Sequence, residues 1–212
     1  MEFFERFNPN PGLLDSALYY LNQDQEVEQN SKQNRDYIRL YFLKEDFNKV
    51  VGYASALKPE AVHDGWAAYR AAESYSRTGQ LPSALSWYKR ATELMPYSLD
   101  FQNKYATCLL TSGNMDEAVK RFEYVLSENP LFINANVNLG YLYMQQGNAT
   151  MAYSLMQQAR LLAPDAEQNL INLAIWYHNN NQDALAKSSL LELLKKHPDN
   201  EQAKAMLADL GM

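Results

Sequence analysis

The sequence predicts an all-α protein assembled from antiparallel helix pairs that recur every 34 residues. Three observations predict it. Pro96, Pro130, Pro164 and Pro198 stand 34 residues apart at each step. Gly79, Gly113 and Gly147 keep the same spacing, and the next step lands on Asn181, the residue type that best replaces glycine where φ is positive. Small residues follow the period in two rows, Ala84, Ala118, Ala152, Ala186 and Ala72, Ala106, Gly140, Ala174. A period of this length marks stacked repeats, each of which completes its core on its neighbours.

Taken in order, residues 1–30 hold one helical stretch, Gly12 to Tyr20, in which glycine precedes alanine by the same five residues as at Gly79 and Ala84. It reads as half a repeat, either an N-terminal capping helix or part of a longer array. Residues 31–64 form a degenerate repeat. Ile38, Tyr41 and Val50 fill its small, large and small positions, Val62 stands where proline is expected, and Pro59 lies three residues early. The clear repeats are 65–98, 99–132, 133–166 and 167–200. In 99–132, Asp100 to Ser112 is the first helix and Gly113 breaks it. Asn114-Met115-Asp116-Glu117 restarts the chain as an Asn-x-x-Glu capping box, and the second helix stops at Pro130. Large residues at Tyr75, Leu109, Tyr143, Tyr177 and at Tyr88, Phe122, Met156, Leu190 fill the space beside the small ones. Residues 201–212 read as a C-terminal capping helix, with Leu207 and Ala208 at first-helix positions.

The period, combined with Gly or Ala, Tyr, Ala, an aromatic and Pro at fixed offsets, resembles the tetratricopeptide repeat family. The resemblance implies a right-handed superhelical α-solenoid whose first helices line a concave groove. It implies a non-catalytic scaffold that binds a peptide or protein segment there. Carried onto this chain, the groove positions include Arg35 and Arg39, then Trp66, Tyr69, Arg70 and Arg77, then Asn103 and Lys104, then Asn134, Asn138 and Tyr141, and finally Asn172 and His178. Family members that bind chaperone tails use a carboxylate clamp. Arg35 and Lys104 match its charges, but Arg39 and Arg70 stand where asparagines are expected and Asp100 where a lysine is expected, so that ligand is not predicted.

The groove map divides into two chemistries. Its N-terminal half carries Lys32, Arg35, Arg39, Arg70, Arg77 and Lys104 against Asp36, Glu73 and Asp100. This local excess attracts an acidic segment or a C-terminal carboxylate, unless the cations pair with those three carboxylates or face water. Its C-terminal half carries amides, which offer donor and acceptor to an extended backbone. Trp66 and Tyr69 are candidate anchors.

Composition narrows the alternatives. The chain has 212 residues, 47% hydrophobic and 21% charged, with net charge −6. That balance argues against a nucleic-acid partner, which calls for a basic surface. No run reaches the roughly 18 apolar residues of a membrane span, and the N-terminus lacks the pattern of a signal peptide. With one cysteine, Cys108, the fold needs no disulfide, and a cytoplasmic location is expected. His63, His178 and His197 are too scattered for a metal motif, and no phosphate loop or nucleophile–base set occurs. No catalytic residue, metal or cofactor is therefore expected. Two other readings stand beside the binding scaffold: a self-assembling structural module, which leaves homo-oligomerisation open, and a regulatory C-terminal fragment of a larger multidomain protein.

Overall fold

The computed structural model describes residues 11–23 and 31–211. Twelve α-helices, and no strand, are found among them. The chain divides into two compact units, 1–114 and 115–212. In the first lie α1 (Pro11–Gln23), α2 (Ser31–Leu43), α3 (Phe47–Ser55), α4 (Gly65–Arg77), α5 (Leu81–Leu94) and α6 (Leu99–Thr111). In the second lie α7 (Met115–Glu128), α8 (Ile133–Gln145), α9 (Ala149–Leu162), α10 (Glu167–Asn179), α11 (Asp183–Lys196) and α12 (Glu201–Asp209).

One turn chemistry closes every helix pair. Gly79, Gly113, Gly147 and Asn181 have φ of 78°, 80°, 77° and 59°. The amide after each donates back to the large-residue row, Gln80 to Tyr75, Asn114 to Leu109, Asn148 to Tyr143 and Gln182 to Tyr177, at 2.8–2.9 Å. The left-handed residue itself donates three residues back, as at Gly113 N to Leu110 O, 3.0 Å. These two bonds are a Schellman termination, which satisfies the carbonyls a helix end leaves open. The degenerate repeat uses it too. Glu45, one period before Gly79, has φ of 57°, and Asp46 N donates to Tyr41 O at 2.9 Å.

The prolines do more than stop a helix. Each is the second residue of a turn in which the fourth amide donates to the first carbonyl: Ser98 to Met95, Phe132 to Asn129, Ala166 to Ala163 and Asn200 to His197. Proline's fixed φ suits that position. The next helix is then capped by Ser98 onto Phe101 N, or by Asn200 onto Ala203 N. Gln102 and Asn136, also one period apart, donate their side-chain amides to the carbonyls of Pro96 and Pro130 at 3.0 and 2.9 Å. The turn is thereby tied to the first helix of the pair that follows.

The small residues mark close helix crossings. Ala84, Ala118, Ala152, Ala186, Ala72, Ala106 and Ala174 are fully buried. At Gly140 an added Cβ would lie 3.1 Å from Met156 Cγ and 3.3 Å from the Ala152 carbonyl oxygen, so α8 and α9 approach so closely that a methyl would fit only if its neighbours gave way slightly. Ile38 and Val50 occupy the small positions of the degenerate repeat and are buried all the same. In the 115–212 unit, Met156, Leu170, Leu173, Leu190 and Leu193 form the core, with Ala203 and Leu207 of α12 joining it. Ala208, in register with Ala174, is exposed.

Candidate functional site

On α4, Trp66, Tyr69, Arg70, Glu73 and Arg77 recur at steps of three and four, so they share one helix face. The loop side chain of Asp64 starts that helix by accepting from Trp66 N and Ala67 N. The face meets α6. Phe101 stacks on Tyr69 with centroids 4.4 Å apart and rings 6° from parallel, and it meets Trp66 edge-on at 5.0 Å. Arg70 lies over the Trp66 ring at 5.5 Å. Trp66 and Tyr69 are thus half-buried members of an aromatic cluster that joins two repeats.

Glu73 is the centre of this face. It is 7% exposed, and three side chains donate to its carboxylate. The Tyr88 hydroxyl reaches Oε2 at 2.7 Å, Arg77 Nε reaches Oε1 at 3.0 Å, and Lys104 Nζ lies 3.4 Å from Oε1 and 3.3 Å from Oε2. Burial alone would raise the Glu73 pKa. The Tyr88 hydroxyl, Lys104 and Arg77 outweigh it and hold the carboxyl below its usual range. Tyr88 is pushed far up by its own burial and by the neighbouring carboxylate, so it stays a hydrogen-bond donor. The Arg77 guanidinium also lies 4.7 Å above the Phe47 ring of α3.

The remaining expected residues fall in different settings. Arg35 is half-buried on α2, whereas Arg39 is exposed and lines an open recess between α1 and α2 with Leu14, Leu21, Leu40 and Asp36. Asn103 is 4% exposed and its Oδ1 has no hydrogen-bond partner among the described residues. In the second unit Asn134 is exposed, and Asn138 and Tyr141 are half-buried. Asn172 is 1% exposed and accepts from Gln168 Nε2 at 3.0 Å. His178 is exposed, with Nδ1 2.7 Å from Asp183 Oδ1. Two residues of the Glu73 centre carry no surface signal in sequence: Tyr88 belongs to a core row, and Phe47 lies in the irregular repeat.

Cys108 is buried, and burial raises its thiol pKa, which disfavours the thiolate. Among the described residues no group of three or more His, Cys, Asp or Glu is placed to hold a metal ion. No helix among them is long and apolar enough to cross a membrane.

Comparison with known proteins places this architecture. Two family models, each described as Tetratricopeptide repeat, match residues 109–168 and 168–200. A peroxisomal targeting signal receptor from Kluyveromyces lactis is 29% identical over 121 residues, 52% of this chain and 21% of the receptor. The human protein O-mannosyl-transferase TMTC3 is 33% identical over 129 residues, 59% of this chain and 14% of that protein. The chain thus spans about a fifth or less of these relatives. Among solved structures, YrrB, titled a TPR protein with an unusual peptide-binding site, aligns with TM-score 0.70 at 13% identity, covering 92% of this chain and 99% of YrrB. MamA from Desulfovibrio magneticus RS-1, solved from residue 41 to its end, aligns with TM-score 0.68 at 15% identity, covering 82% of this chain and 99% of the solved MamA chain. With the 34-residue register and the repeated turns, these matches make the chain a tetratricopeptide repeat protein, the family models falling on residues 109–200.

Proposed function

We propose that the chain is a non-catalytic scaffold that binds a polypeptide segment along its first helices, with a preference for acidic segments on the 1–114 unit. The observation that carries this reading is the α4–α6 face. There Arg70, Arg77 and Lys104 stand beside half-buried aromatic rings, a combination that offers both charge attraction and apolar contact. In the 115–212 unit, exposed Asn134 and half-buried Asn138 and Tyr141 supply polar groups for a peptide backbone whatever its side chains. The reading is supported by YrrB, whose title names a peptide-binding site, and by the receptor relative, named for a targeting signal. A cytoplasmic setting, in keeping with a single buried thiol, belongs to the same proposal.

The test removes charge rather than reversing it, because a carboxylate at position 104 would abut Glu73. Arg70→Gln with Lys104→Gln should weaken binding of a fluorescein-labelled acidic peptide at least about tenfold in anisotropy titrations, with unchanged far-UV circular dichroism. Equal affinity in wild type and the double variant would remove the basic face from the mechanism.

A further inference from the structure

The geometry points to Glu73 as the positioning residue of a carboxylate-binding site, built from Arg77 and Lys104 on the first helices of two successive repeats. This deepens the proposed acidic-segment reading and rests on it. Arg77 and Lys104 meet on the same oxygen, Glu73 Oε1, at 3.0 and 3.4 Å. Neither is used up by it. Arg77 spends only Nε on Glu73, and its plane is held by the Phe47 ring at 4.7 Å. Both Nη groups, the fork that suits a carboxylate in two parallel bonds, have no side-chain partner among the described residues. Lys104 spends its ammonium group on one carboxylate at long distances and retains donors. The two side chains are 53% and 42% exposed, whereas the Glu73 side chain that holds them is 9% exposed.

Glu73 is fixed in turn from below by Tyr88, which donates to Oε2 from the second helix of the same repeat. The arrangement runs from a buried hydroxyl, through a buried carboxylate, to two cations at the surface. It fixes donors before a ligand arrives, which lowers the ordering cost of binding. An alternative role for the same carboxylate is to cancel charge and compete with a ligand. The two roles predict opposite signs. Removing the charge of Glu73 strengthens acidic-ligand binding if it competes, and weakens it if it positions.

The experiment uses the full chain and two amidated, fluorescein-labelled Gly/Ser peptides, one with spaced glutamates and one with glutamine at the same places. Wild type should prefer the glutamate peptide. Glu73→Gln should bind it about tenfold more weakly although the variant is more positive. Arg77→Lys, which keeps the charge and loses the fork, should also lose about tenfold. Phe47→Leu changes no charge and should lose about threefold. Equal or tighter binding by folded Glu73→Gln overturns the positioning role and leaves the basic-face reading standing. Should that variant fail to fold, unchanged binding by Arg77→Lys and Phe47→Leu overturns it instead. A wild type that does not discriminate the two peptides defeats the acidic-segment reading itself.

Discussion

The first helices of the two units carry different chemistry on one backbone register. The row Asp36, Arg70, Lys104 in the 1–114 unit is charged, and it continues as Asn138 and Asn172 in the 115–212 unit. Five residues into each repeat, Tyr69 and Asn103 give way to Val137 and Ile171, which are buried at 6% and 3% exposure. The first face is organised around an ionised carboxylate with three donors, the second around amides and apolar packing. The repeat therefore fixes where a side chain emerges and leaves its chemistry free. Stability should depend on polar contacts more in the first unit than in the second.

Glu73→Leu is the largest test of that difference. It strands the buried Tyr88 hydroxyl and unpairs two cations. The cations are about half exposed and lose little, so the cost should be about 2–3 kcal/mol by urea denaturation. Asn172→Leu, which disturbs one amide pair, should cost about 1 kcal/mol or less. Equal costs would erase the contrast. Gly140→Ala comes next. Its methyl presses on Met156 and on the Ala152 carbonyl, and that crowding outweighs the roughly 1 kcal/mol that alanine gains over glycine inside a helix, so a net loss of up to about 1 kcal/mol in stability is expected, whereas its register-mate Ala72 in the first unit already carries the methyl.

The turns yield a smaller effect of opposite sign. Glu45→Gly should stabilise by about 0.5–1 kcal/mol, because a side chain is costly in the left-handed region. Asn181→Gly should gain only a few tenths, since asparagine tolerates that conformation.

The subtlest separation is by pH. The Glu73 pKa is lowered in the folded state, so its contribution is complete above the unfolded carboxylate range. It is lost as pH falls below about 4.5 toward the folded value. The stability gap between wild type and Glu73→Gln should therefore shrink under acid. Tyr143, whose hydroxyl donates to Glu123 at 2.5 Å, is raised by burial and by Glu123 to about 12. Its contribution is present below pH 10 and fades as pH climbs to about 12. Tyr143→Phe should remove that alkaline dependence and leave the acid limb unchanged.

The fold was legible because its signals are backbone requirements. A left-handed turn needs glycine or asparagine, a stop needs proline, and a tight crossing needs a small side chain, so all three print the period onto the sequence. Glu45 escaped because glutamate carries no left-handed signature. The site was legible in direction but not in depth. An offset along a helix fixes which face a residue occupies. It does not say how far the neighbouring helix covers that face, which is why Asn103 and Asn172 are nearly inaccessible. The Glu73 centre was only half visible. Its pairing with the cations follows from charge, but Tyr88 reaches it from the other helix, 15 residues on.

Every Schellman closure and every proline turn described above is made by residues only a few positions apart. A duplication or deletion of genetic material in steps of one repeat would thus carry its own joints intact. The joints would survive such a step, while the side chains packed between repeats, such as Phe101 on Tyr69, would still have to match.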